Sequence, residues 1–393
     1  MSTKRVYMDH AAGRPVDPRV LEAMLPFEGS FHVNPSSVHS FGQETKQALE
    51  NARVKVAELI NAERKESIIF TSGATESNNM AIKGIAYRNK ERGSHIITSS
   101  IEHMSVLNPC KFLTTKGFKV TFLPVDQYGF VDLKSLEEQL TDETILVSIM
   151  YANGEIGTIQ PIKEISQIVH SKNAYLHVDA AAANGQAPID VKNEGIDLLT
   201  ISSNDMYGPK GVGALCVKKG VHIEPIIHGG GQEQGLRSGT EDVPGVVGFG
   251  KASEIAKKEM WAESERLMKL REKLIKGLIE PIPYSFLNGH PAKRLPNNVA
   301  VRYSFIEGEA MLLSLDMMGV AASSGSACTT KTLEPSHVLR AIGLKHEEAH
   351  GSLLFTLGKQ NTEEEVDYVI SIMPDIVKRL RAMSPLTPKE LRD

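Results

Sequence analysis

The sequence predicts an α/β protein, with a large domain built on a mostly parallel sheet and a smaller α+β domain after it. Three observations predict this. Between Ser67 and Lys219 short β-branched runs alternate with helical patterns at the spacing of a helix-covered sheet. Several of those runs are apolar throughout, as strands covered on both faces require. A long charged amphipathic stretch from Lys251 to Ile279 then separates this alternation from a mixed pattern of strands and helices.

The strands are expected, in chain order, at "SIIFTSG", "HIITSS", "KVTFLPV", "ILVSIMYA", "YLHVDA", "LLTIS" and "VGALCVKK". Between them, Glu76 to Arg92 and Ile162 to Ser171 carry apolar residues on one face and read as covering helices. After the linking helix come the strands "NNVAVRYS" and "GSLLFTLG" and the helix "EEVDYVISIMPDIVKRLRAM". The organisation read from this is an N-terminal segment over 1–15, a large domain over 16–260 and a small domain over 261–393 that the N-terminal segment joins.

The 393 residues are 41% hydrophobic and 23% charged, with a net charge of −4 and no basic block. Nucleic acid and anionic membrane are therefore not expected partners. No window approaches 18 consecutive apolar residues, so a cytoplasmic protein is expected. The three cysteines, Cys110, Cys216 and Cys328, form no CxxC pair, which argues against a disulfide framework and a self-contained zinc site.

"FTSGATES" places a small-residue turn between a strand and a helix start. Free backbone N–H groups, the dipole and Thr75 make an anion site there, although an ordinary helix cap with Glu76 in the first turn has the same pattern. Asp179 ends a strand at the edge where open α/β sheets place their ligands. His103 also follows a strand, where an imidazole either stacks on a flat ligand or serves structure. Cys328 lies in a run of small and hydroxylic residues, Ala321 to Thr332, and is the reactive thiol candidate, whereas Cys110 and Cys216 sit in apolar contexts. "HEEAH", His346 to His350, fits the HExxH zinc pattern, but Gly351 and a strand follow it at once and no third ligand is evident. "HGGG", His228 to Gly231, is the pattern of a lipase oxyanion loop, yet the chain holds no G-x-S-x-G.

Taken together, "SGATES", "EHMSVL", "EIG", "HVDA", "YGPKGVGAL", "HGGGQEQGLRSGT" and "SSGSACTTKTLEPSHVLRAIGL" closely resemble the cysteine desulfurases of the class V aminotransferase group, in order and over nearly the whole chain. The resemblance implies a fold type I pyridoxal phosphate (PLP) architecture, a homodimer and work in iron–sulfur cluster assembly with a scaffold protein. It assigns Ala74, Thr75, Ser202 and Thr240 to the phosphate cradle, with Thr240, in the segment Arg237 to Thr240, reaching the partner subunit. It also assigns His103 to ring stacking, Asp179 to the pyridine nitrogen and Cys328 to persulfide formation.

The chain departs from the family pattern at five positions. The Schiff-base lysine is replaced by Asp205 and its neighbouring histidine by Asn204, and Lys210 is a lysine the family carries in addition. The ring-contacting Asn and Gln are replaced by Gly154 and Ala182, and the substrate-clamping arginine by Leu354. An aspartate cannot hold PLP covalently, and leucine leaves an incoming carboxylate unpaired. The expectation is a desulfurase-like assembly protein in which PLP catalysis is lost. Cys328 would then serve as a ligand to an iron–sulfur cluster or as a sulfur carrier. The alternative is an active cysteine desulfurase that uses PLP non-covalently.

Overall fold

The computed structural model describes residues 5–324 and 335–391. Among these residues the strands are β1 (Val6–Tyr7), β2 (Ile68–Thr71), β3 (His95–Ser99), β4 (Lys119–Leu123), β5 (Thr144–Met150), β6 (Tyr175–Asp179), β7 (Leu198–Ser202), β8 (Gly213–Val217), β9 (Ser285–Leu287), β10 (Asn298–Tyr303), β11 (Val320–Ala321) and β12 (Ser352–Thr356). Seven of them form one sheet in the order β2-β8-β7-β6-β5-β3-β4. Every neighbouring pair is parallel except those made by β8, which runs against both β2 and β7. β5 and β7 are buried at every residue, as their unbroken apolar runs require when helices cover both faces.

A second, antiparallel sheet orders β12-β10-β9, and β1 pairs in parallel with β11. The N-terminal segment therefore returns to elements more than 300 residues away. Met8 O accepts from the Thr356 backbone N–H at 2.7 Å, and the Thr356 hydroxyl accepts from the Ala11 N–H at 2.8 Å.

The linking helix spans Val243–Ile279 and starts eight residues before Lys251. The glycines of "VPGVVGFGK" suggest an interrupted chain, but Asp242 caps the Gly245 N–H at 3.1 Å and Pro244 suits the first turn. Gly250 permits a close approach: a Cβ there would lie 2.6 Å from the Ala52 Cα in the helix Ser40–Leu59. Tight helix contact thus outweighs the low helix propensity of glycine. The helix passes from one hydrophobic core to another, burying Val243, Val246, Phe249 and Ala252 in the first and Leu267, Leu270, Leu274 and Leu278 in the second.

His346–His350 forms a single helical turn with its imidazole centroids 4.4 Å apart. The described residues gather no third side chain able to complete a metal site there. No helix among them is long and apolar enough to cross a membrane.

Candidate functional site

A cavity of about 440 Å³ opens at the C-terminal edges of β2, β3, β5, β6 and β7, where parallel α/β sheets hold ligands. After β2, Gly73 has φ +141°, a conformation that side chains disfavour, and turns the chain into the helix Ala74–Arg88. The first N–H groups of that helix are not spent on a side-chain cap, so Ala74 and Thr75 bring a positive helix end to the cavity wall. Glu76 receives the Ser72 N–H at 2.7 Å and pairs with Arg237 at 3.0 Å. Burial raises its pKa, but these donors outweigh the effect and leave it below the ordinary carboxylate value.

The next wall is a hydrogen-bonded chain. Asn78 Nδ2 donates to Asp179 at 2.7 Å and to the Ser105 hydroxyl at 2.8 Å, and that hydroxyl lies 2.7 Å from His103 Nδ1. The Ser105 N–H also donates to Nδ1 at 3.1 Å. With Asn78 occupying it as acceptor, the serine proton points at Nδ1, which is therefore the acceptor nitrogen of His103. Asp179 takes a further bond from the Ala181 N–H at 3.1 Å, yet burial keeps its pKa raised.

β7 ends at Ser202 and leads into the turn Asn204–Met206. The Ser202 hydroxyl donates a short hydrogen bond to Asp205. Burial raises the Asp205 pKa, with the Asp179 charge adding to the rise, while Ser202 and the charges of Arg14 and His103 oppose it. Gly154 and Ala182 are adjacent: a Cβ on Gly154 would lie 3.5 Å from the Ala182 Cβ. Both line the cavity, so the two truncated positions open one shared space.

The cavity thus brings together Ala74, Thr75, His103, Gly154, Asp179, Ala182, Ser202, Asn204 and Asp205. Two assigned positions stand apart. Thr240 is exposed and does not line this chain's own cavity, although Arg237 in the same segment pairs with Glu76 at the cavity wall. Leu354 is buried in β12, bonded to Ser323 through both backbone groups, and the wall is made by Thr356 two residues on. Cys328 lies outside the described residues. Cys110 and Cys216 are buried thiols with pKa pushed up to about 12, which suits packing and not nucleophilic chemistry.

Sequence patterns missed His10, Arg14, Gln186 and Asn297, which also line the cavity. The signal for Arg14 was a cation in the otherwise small-residue run "HAAGRP".

The residues fit PLP in part. The helix end and Ser202 suit a phosphate, and Asp179 suits a protonated ring nitrogen. No lysine lines the cavity among the described residues, and Lys210 lines a separate pocket, so none of those residues offers the cavity an amine for a covalent link.

The profile of the Aminotransferase class-V family matches residues 6–369. Cysteine desulfurase IscS 1 of Archaeoglobus fulgidus is 60% identical over 380 residues, 97% of this chain and 99% of that protein. A solved structure described as a NifS-like protein superposes with TM-score 0.90 at 41% identity, covering 96% of this chain and 100% of that one. Another, described as SspA in complex with cysteine, gives TM-score 0.80 at 37% identity over 90% of this chain and 98% of its own.

Proposed function

This chain belongs to the Aminotransferase class-V family, and from that premise we propose that it serves iron–sulfur cluster assembly as a cytoplasmic, homodimeric, cysteine desulfurase-like protein. In this reading the chain docks a scaffold protein and offers Cys328 as a cluster ligand or sulfur carrier, while covalent PLP catalysis is lost. The observation that carries the reading is Asp205, a buried carboxyl bonded to Ser202 where the family resemblance expects an amine, in a cavity lined by no lysine among the described residues. A carboxyl cannot form an imine and so cannot hold PLP covalently. Thr240, exposed in the single chain, would meet the cavity of the partner subunit.

The names of the relatives favour a second reading, an active cysteine desulfurase, which with Asp205 in place would hold PLP non-covalently. The helix end at Ala74 and Thr75, Ser202 and Asp179 support such holding. One experiment separates the two. Purified full-length protein is given PLP and L-cysteine, and sulfide is measured beside a Cys328→Ala variant. Sulfide at background in both supports loss of catalysis, whereas turnover abolished by Cys328→Ala establishes the active enzyme.

A further inference from the structure

Arg14 and Asp205 line the same cavity without forming an ion pair. Arg14 is 9% exposed, its Nε is buried with no hydrogen-bond partner, and its guanidinium lies over the Tyr207 ring, 5.2 Å from the centroid. Tyr207 is itself fixed, since its hydroxyl accepts from the Lys359 backbone N–H at 2.8 Å. The guanidinium is thus held in place by stacking while donor capacity stays unspent, a costly arrangement unless a ligand uses it.

Among the described residues Arg14 is the sole lysine or arginine lining this cavity. Beside it, burial and the Arg14 charge lower the His10 pKa to about 4, so the imidazole is neutral and adds no second cation. Of the carboxyls at the wall, Glu76 is engaged by Ser72 and Arg237, and Asp179 by Asn78 and Ala181, whereas Asp205 has one side-chain partner, Ser202. A cation and a carboxyl that face one small space and do not spend themselves on each other match a ligand carrying both signs. A simple carboxylate would be opposed by Asp205, and a simple amine by Arg14.

We propose that Arg14 and Asp205 bind a small α-amino acid directly as its zwitterion, the carboxylate on the Arg14 guanidinium and the ammonium on the Asp205 carboxylate. The inference rests on the second reading above, in which the cavity still takes an amino acid, and it supplies from the N-terminal segment the cation that Leu354 does not. The adjacent Gly154 and Ala182 leave room for the side chain of the ligand.

The test is calorimetric titration of the full chain without PLP, using L-alanine, propionate and ethylamine. L-Alanine carries both charges and no thiol. It is expected to bind more tightly than either single-charge probe. Arg14→Met should weaken L-alanine and propionate by about 10- to 100-fold and leave ethylamine bound as tightly or more so. Asp205→Asn should weaken L-alanine and ethylamine and leave propionate bound as tightly or more so. Arg14→Lys, which keeps the charge without the fork, should fall between wild type and Arg14→Met, and circular dichroism establishes that each variant is folded. Failure of the wild type to bind L-alanine, or unchanged L-alanine affinity in folded Arg14→Met, overturns the proposal. The titration reads neither PLP nor sulfide, so its failure is distinguishable from failure of the sulfur-transfer reading.

Discussion

Replacing Glu233 by glutamine tests what fixes the loop that leads to Arg237 and Thr240. Glu233 meets Arg53 through two parallel bonds of 2.7 Å, and the side chains are 3% and 8% exposed. The same carboxylate accepts the Phe70 N–H of β2 at 2.8 Å, and Arg53 also donates to the Ile68 carbonyl at 2.7 Å. Glu233 adopts φ +46°, so its backbone is held in a conformation that favours glycine, and the ion pair is the tie that holds it there. Glutamine keeps the shape and removes the charge, leaving the Arg53 guanidinium buried with only the partly exposed Glu50 as anionic partner. Breaking one side of a buried pair costs about 3–5 kcal/mol. For a chain of this length the unfolding entropy is on the order of 0.8 kcal/mol/K, so Tm should fall by about 4–6 °C. Thermal unfolding followed by circular dichroism measures it, and the double variant Arg53→Met/Glu233→Leu should recover part of the loss, because no lone buried charge remains although the Phe70 N–H loses its acceptor. A fall of less than about 1 °C in Glu233→Gln would refute the reasoning, since it would mean that the pair is not desolvated.

Two further outcomes are expected. Asp205→Lys should retain PLP through gel filtration where the wild type loses it. Its sulfide release from L-cysteine should nonetheless stay at least about tenfold below that of Asp205→Lys/Gly154→Asn/Ala182→Gln, because two adjacent hydrogen-bonding positions are otherwise missing; equal rates would show those positions to be unimportant. Glu102 and Glu155 are buried carboxyls whose pKa burial raises from 4.5 to about 8. A folded-state pKa above the unfolded one gives stability that is complete below about pH 4.5 and lost as pH rises through about 8. The urea midpoint should therefore drop between pH 5 and pH 8.5, and less steeply in Glu155→Gln, whose side chain still accepts from Ser336; an unchanged slope would remove Glu155 from the account.

Most of the scaffold was legible in the sequence because its signals are local. The strands that make the large sheet each stand out as β-branched runs, and their ends mark Thr75, His103 and Asp179 at the cavity wall, whereas positions 74, 154, 182, 202, 204 and 205 rest on the family resemblance. The start of the long helix was not legible. Glycine lowers helix propensity wherever it occurs, and only the neighbouring helix at Ala52 reveals that Gly250 is there for close packing.

The sequence by itself determined the α/β class and the strands of the sheet. Periodicity and residue chemistry act over a few positions, so these can be read along the chain. Only the tertiary structure decided that Arg14 shares a cavity with Asp205, 191 positions away, while Leu354 and Thr240 do not line it. That arrangement depends on β1 pairing with β11 and on Met8 and Ala11 bonding to Thr356. Such contacts join segments more than 300 residues apart, and no local pattern specifies which distant side chains a returning segment will face.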